Sequence, residues 1–237
     1  MAKDVIIACD FDSAEKTFAF LDLFGNRKPF VKIGMELFYS VGPNVVREIK
    51  KRGHKVFLDL KLHDIPNTVK KSMTVLSGLG ADIVNLHAAG TTAMMKAALE
   101  GLTRKDGTRP LLIAVTQLTS TDEESLKNEL LIDKPMAEVV ERYALNALSA
   151  GLDGVVCSPL EAEKVHRACG KNFLTVTPGV RFAYGDKGDQ KRVTTPEDAK
   201  KAGSDYIVVG RPITAAEDPV AAYERCVREF MGNVKEK

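Results

Sequence analysis

The sequence predicts an α/β protein, a single-domain (β/α)8 TIM barrel spanning residues 1–237, and three observations lead there. Eight short apolar runs rich in β-branched residues recur at fairly even spacing, segments of helical period separate them, and glycines mark the returns from helix to strand. Strands alternating with helices build a parallel sheet, and eight such units close it. The 237 residues are close to the roughly 250 that a barrel of this kind typically needs.

The first run, 5–9, starts almost at the N-terminus and is followed by an amphipathic stretch at 14–21. Runs two and three, 30–33 and 56–60, flank a helical pattern at 45–50, and Gly53 stands where that helix needs a left-handed cap. Gly80 precedes the fourth run (83–87) in the same way, and the fifth is 111–116. A helix over 137–144 and Gly151 lead into the sixth run, 154–157; the seventh is 173–177, and Gly203 introduces the eighth, 206–209. One connection is longer than the rest. Residues 181–192 form a polar, glycine-containing segment after the seventh run, of a length expected of a functional lid.

Composition narrows the classes of function. With 44% hydrophobic and 28% charged residues the chain reads as globular, and no apolar run approaches the ~20 residues of a membrane span. No signal-peptide pattern opens the chain, so a cytoplasmic address is expected. A net charge of +2, without a basic stripe or reading motif, argues against nucleic-acid binding. The clusters Lys50-Lys51-Arg52, Lys70-Lys71 and Lys200-Lys201 read as solvated helix faces, several at C-termini that favour cations. Cys9, Cys157, Cys169 and Cys226 are scattered and read as free thiols in a reducing compartment. His54, His63, His87 and His166 show no zinc-site spacing, and no metal is expected.

The chemistry concentrates at strand ends, where barrels of this type carry their sites. Asp59-Leu60-Lys61-Leu62-His63-Asp64 follows directly on the apolar Val56-Phe57-Leu58. Alternation along a strand points Asp59 and Lys61 to one face and Leu60 and Leu62 to the other. Opposite charges sharing a small space are costly to desolvate, so plain barrel filling is a poor explanation; a structural ion pair is the alternative. Asp10 ends the first strand and Lys32 lies on the second, and with Asp59, Lys61 and Asp64 they form an alternating array of acids and bases. His63 and His87 read as hydrogen-bond partners rather than proton carriers. Across the mouth strand seven gives Pro178, Gly179 and Arg181, and Gly210-Arg211 after strand eight suits a phosphate, over which Arg181 is placed to close.

Four segments in this order carry a resemblance to a known family. They are Asp59 to Thr68, Val115-Thr116-Gln117-Leu118-Thr119-Ser120, Val176-Thr177-Pro178-Gly179-Val180-Arg181 and Val209-Gly210-Arg211. Together they resemble the orotidine 5′-phosphate decarboxylases of bacterial type, over essentially the whole chain. That resemblance implies a carboxy-lyase that converts orotidine 5′-monophosphate to UMP and CO2, the last step of de novo pyrimidine biosynthesis, without metal or organic cofactor. It places the catalytic Lys-Asp-Lys-Asp tetrad on Lys32, Asp59, Lys61 and Asp64. It further implies Asp10 and Lys32 at the ribose hydroxyls, Thr119 at the pyrimidine edge, Pro178 in the substrate site, and Arg181, Gln190, Gly210 and Arg211 at the phosphate. A homodimer is implied, with Asp64 and Thr68 reaching into the partner's site. Two rivals are a Mg-dependent sugar-phosphate decarboxylase or aldolase of the same superfamily, and a non-catalytic nucleotide-binding barrel. The first resembles this chain in the Asp-x-Lys-x-x-Asp segment but carries an acidic metal ligand where Lys32 stands; the second would have lost Lys61 or an aspartate.

Overall fold

Eight strands form where the apolar runs predict them, because β-branched residues suit a pleated surface buried on both faces. The computed structural model describes residues 3–183 and 194–232. The first half comprises β1 (Asp4–Ala8), α1 (Ala14–Asp22), β2 (Phe30–Gly34), α2 (Met35–Val41), α3 (Asn44–Lys51), β3 (Val56–Leu62), α4 (Pro66–Ser77), β4 (Ile83–His87) and α5 (Thr91–Leu102). The second comprises β5 (Leu111–Val115), α6 (Glu123–Asn128), α7 (Met136–Ser149), β6 (Gly154–Val156), α8 (Ala162–Cys169), β7 (Leu174–Thr177), α9 (Pro196–Lys201), β8 (Tyr206–Val209), α10 (Arg211–Thr214) and α11 (Pro219–Met231). Each strand pairs in parallel with its sequence neighbours, and β8 returns to β1, so the sheet is a closed (β/α)8 barrel.

Strand alternation sorts the core into two layers. Ile6, Phe30, Phe57, Ile83, Ile113, Val176 and Val208 fill the barrel interior. Val5, Ile7, Val31, Ile33, Leu58 and Val84, one residue out of phase, pack under the helices. Two residues beyond an interior apolar residue the chain faces inward again, now at the C-terminal mouth. Lys32 therefore follows Phe30, Asp59 follows Phe57, Asn85 follows Ile83, Pro178 follows Val176 and Gly210 follows Val208. The apolar plug below fixes the height of the polar layer above it.

The four glycines read as helix-to-strand punctuation all adopt the left-handed conformation, with φ of +89°, +82°, +85° and +88° at Gly53, Gly80, Gly151 and Gly203. Gly101 has a different reason to be glycine. A Cβ there would lie 2.1 Å from the Lys70 carbonyl oxygen, so its absence lets α4 and α5 cross closely. Lys50 and Lys51 end α3, and Lys200 and Lys201 end α9, as the charge pattern predicts. Cys9, Cys157 and Cys226 are buried free thiols; burial pushes Cys9 and Cys226 up to about 12, which leaves them protonated and inert. Among the described residues no helix is long and apolar enough to cross a membrane.

The opposite end of the barrel carries a device that the strand pattern does not announce. Asp82, Asp153 and Asp205 each sit one residue before β4, β6 or β8, in the recurring triplets Gly80-Ala81-Asp82, Gly151-Leu152-Asp153 and Gly203-Ser204-Asp205. Each carboxylate accepts a backbone N–H from the start of the preceding strand: Val56 at 2.7 Å, Leu112 at 2.7 Å and Thr175 at 2.9 Å. Each also faces a basic side chain, Lys50 at 2.6 Å, Arg109 at 2.9 Å and His166 at 3.0 Å respectively. The three carboxylates thereby stitch β3 to β4, β5 to β6 and β7 to β8 at the N-terminal end. Asp153→Ala should lower stability by about 1–3 kcal/mol, because it strands a backbone donor and a guanidinium. Urea unfolding with an unchanged slope should show this, while kcat/KM stays at the wild-type value because the site lies at the other end.

Candidate active site

Neighbouring strands β1, β2 and β3 bring four charges together at the barrel mouth. Lys32 Nζ donates to Asp10 Oδ1 at 2.8 Å and lies 3.4 Å from Asp59 Oδ2. Lys61 Nζ donates to Asp59 Oδ1 at 2.7 Å. Acid and base thus alternate in one run, Asp10, Lys32, Asp59, Lys61, four of the five members that the charge pattern predicts. The inner members are withdrawn from water: the side chains of Lys32 and Asp59 are 11% and 10% exposed, against 54% for Asp10.

Burial alone would drive both inner groups toward neutrality, and the neighbouring charges reverse that outcome. Desolvation pushes the Asp59 carboxyl up, yet Lys32 and then Lys61 outweigh it and hold the group below its ordinary 3.8. Desolvation likewise pushes Lys32 down, and Asp59 with Asp10 holds it above its ordinary 10.5. Both therefore stay charged at neutral pH. Each ion's charge is the condition for its neighbour's.

Plain alternation does not deliver Lys61 to Asp59. The expected strand of 56–60 runs on through Leu62, and its register against β4 shifts between Leu58 and Leu62. Within that irregularity Lys61 takes φ +49°, a left-handed conformation that costs an L residue about 1–2 kcal/mol. A bulge re-aims the side chain, so the ammonium turns back onto the carboxylate two residues earlier.

On the other side of the mouth lies a cavity of about 440 Å³, lined by Asp10 and Lys32, by Pro178, Gly179 and Arg181 after β7, by Gly210 and Arg211 after β8, and by Ala8 and Val208 beneath. Arg181 is buried and donates to the Val180 carbonyl at 3.0 Å; Arg211 is exposed. Thr119 is half-buried in the loop after β5. Two sequence-predicted residues stay apart from the array. Asp64 is exposed and accepts from the Ile65 N–H at 2.7 Å, and Thr68 is exposed on the first turn of α4. Gln190 and most of the 181–192 segment lie outside the described residues; Arg181 N–H donates to the Thr194 carbonyl at 3.0 Å. A larger depression of about 670 Å³ beside α7, lined by Lys134, Glu138, Arg142 and Tyr143 among others, gathers none of these groups.

Sequence reasoning places Asn85 at the mouth end of the fourth run but gives it no role in the site. Its amide donates to Asp59 Oδ1 at 2.6 Å and accepts the Lys61 N–H at 2.8 Å. The available signal was the period of two, since Asn85 stands two residues beyond the interior Ile83. His63 and His87 approach each other with ring centroids 5.6 Å apart and make no ion pair with the array. Burial, then His63 and Lys61, push His87 down. Among the described residues no group of three or more His, Cys, Asp or Glu could hold a metal ion.

A closed parallel barrel with an acid-base array and an arginine-lined cavity at its C-terminal mouth defines, as a class, a barrel enzyme acting on a phosphorylated substrate. Comparison with known proteins narrows the class. The family described as "Orotidine 5'-phosphate decarboxylase / HUMPS family" matches residues 3–226, and the chain belongs to it. It is 54% identical over 233 residues to the orotidine 5′-phosphate decarboxylase of Geobacillus sp. (strain WCH70), covering 97% of this chain and 98% of the relative. The enzyme of the same name from Staphylococcus saprophyticus is 58% identical over 227 residues, covering 96% of this chain and 98% of its own. Among solved structures, orotidine 5′-phosphate decarboxylase from Lactobacillus acidophilus superposes with a TM-score of 0.86 at 46% identity, covering 96% of this chain and 99% of that one.

The directions of the two shifts define a pH window. Asp59, depressed below 3.8, contributes stability that is present above that pH and lost as pH falls through its folded value. Lys32, raised above 10.5, contributes stability that is complete below that pH and lost as pH climbs through its folded value. Between these limits the array should hold. In 13C NMR the Asp59 carboxyl should titrate below 3.8, and Lys32→Met should move that midpoint upward. An unmoved midpoint would contradict the stated cause.

Proposed function

We propose that the chain removes CO2 from orotidine 5′-monophosphate to give UMP, the last step of de novo pyrimidine biosynthesis, with Lys61 as the group that works at C6. The observation that carries this reading is the Lys61 ammonium fixed 2.7 Å from a buried carboxylate whose other neighbour, Lys32, lines a cavity that can take a phosphate. Family membership supports the substrate.

Breaking the bond from C6 to the carboxylate leaves an electron pair in an sp2 orbital that the pyrimidine ring cannot delocalise. A cation held beside that carbon stabilises the pair as it forms. Lys61 then transfers a proton to C6, giving UMP and a neutral amine, and solvent returns the proton. Asp59 holds Lys61 in place, and its own charge lies close to the departing carboxylate. Lys32 and Asp10 bind the ribose hydroxyls, Thr119 meets the pyrimidine edge, and Pro178 lines the substrate site. Arg181, Gly210, Arg211 and Gln190 hold the phosphate. Asp59 already stands between two ammonium groups, with Oδ1 accepting from Lys61 and Asn85 and Oδ2 facing Lys32, and those two positive charges oppose a divalent cation at this carboxylate.

The whole chain works as one domain, in the cytoplasm, as a homodimer whose Asp64 and Thr68 complete the partner's site. Support for the exchange is that Asp64 is exposed with its bond purely local, and that the apolar Met35, Tyr39 and Ile65 are exposed on the segments following β2 and β3.

Ultraviolet spectra of orotidine 5′-monophosphate with the protein and a chelator should show conversion by wild type and a loss of roughly 10³-fold in kcat for Lys61→Ala. Turnover only of a sugar phosphate, and only with Mg2+, would contradict the assignment. Orotidine without its phosphate should lose kcat as well as affinity, because remote binding energy is spent at the reacting carbon; equal kcat would contradict this. Lys61→Ala and Asp64→Asn proteins, each inactive, should on mixing regain roughly a quarter of wild-type activity, since half the dimers then hold one intact site. No recovery, with subunit exchange verified, would contradict the shared site.

A further inference from the structure

Asn85 is 1% exposed and lies on β4, one strand away from the ion array. Its two amide atoms serve two different groups of β3: Oδ1 accepts the Lys61 backbone N–H at 2.8 Å, and Nδ2 donates to Asp59 Oδ1 at 2.6 Å. Chemistry fixes this orientation, because a backbone N–H can only donate and an ionised carboxylate can only accept. The β3–β4 register is irregular between Leu58 and Leu62, and Lys61 sits in that gap at φ +49°. There the side-chain amide takes the Lys61 N–H in place of a ladder carbonyl and keeps the lysine backbone in a conformation that L residues seldom adopt.

We propose that Asn85 is a positioning residue for the decarboxylation, locking the left-handed backbone of Lys61 and the orientation of the Asp59 carboxylate through one amide. This role rests on the reading that Lys61 works at C6. Asn85 touches no reacting atom; it acts on the two residues that set where the ammonium points. Substrate binding through Asp10, Arg181 and Arg211 is made by other strands, so loss of the amide falls on turnover.

The test compares steady-state turnover of orotidine 5′-monophosphate by wild type, Asn85→Ala, Asn85→Asp and Lys61→Ala. Asn85→Ala should lower kcat about 100-fold with KM changed by less than about threefold. Asn85→Asp separates positioning from bulk structure. In its protonated form the introduced carboxyl still accepts from Lys61 N–H and donates to Asp59, whereas its ionised form sets two carboxylates against each other. Its kcat should therefore climb as pH falls from about 8 to about 5, over which wild-type kcat changes far less. This profile decides the matter even if Asn85→Ala fails to fold. Wild-type-like kcat in Asn85→Ala, or a kcat profile for Asn85→Asp parallel to that of wild type, while Lys61→Ala is inactive, overturns the role of Asn85 and leaves Lys61 standing. Wild-type-like turnover by Lys61→Ala overturns the reading beneath it, and the role of Asn85 with it.

Discussion

The mouth of this barrel depends on one buried carboxylate shared between two ammonium groups. Asp59 is 7% exposed, and in such a place an isolated carboxyl would take up a proton. Lys32 and Lys61 prevent that, and Asp59 with Asp10 in turn keeps Lys32 charged against its own desolvation. Such a trio is poor evidence for stability, because apolar residues of similar volume often hold a fold equally well. Its value lies in orientation. A pre-ordered cation beside the reacting carbon needs no reorganisation when negative charge appears there, which is the general source of electrostatic catalysis.

Strain and strength are placed at opposite ends of the strands. At the C-terminal mouth β3 departs from regular pairing and Lys61 adopts a disfavoured backbone conformation. At the N-terminal end Asp82, Asp153 and Asp205 tie consecutive strands together through backbone donors and basic side chains. Between them the apolar plug of Phe30, Phe57, Ile83 and their neighbours fixes the relative heights of the strands. The irregular rim is tolerated because the rest of each strand is over-determined. That division matches the general separation of function and stability between the two faces of such barrels.

Much of this was legible from residues alone, for identifiable reasons. Buried parallel strands must be apolar throughout, so all eight announced themselves, and the glycines with positive φ marked the helix ends. The charges at the ends of β1, β2 and β3 were visible because ions seldom follow apolar runs without a purpose. Three features were hidden. Nothing in a lysine signals a left-handed backbone, so regular alternation was expected at 59–61 and the bulge was missed. Asn85 stands visibly at the polar end of the fourth run, yet nothing in a single amide says that it joins Asp59 to the Lys61 backbone. The Gly-x-Asp triplets at 80–82, 151–153 and 203–205 each look like an ordinary turn, and only their common position before β4, β6 and β8 gives them meaning. Asp64 reads in sequence as part of the array, yet within one chain it stands apart from it.

The central claim is that the Lys61 ammonium, held by Asp59, delivers the proton to C6. By microscopic reversibility the same lysine, as the amine, should remove the C6 hydrogen of the product. The decisive measurement is proton NMR of UMP in D2O with the protein, following the C6 hydrogen over time. The account predicts that wild type exchanges this hydrogen for deuterium and that Lys61→Ala, bound to UMP at saturation, does not. Exchange at the wild-type rate in Lys61→Ala would contradict it and assign the proton to another group.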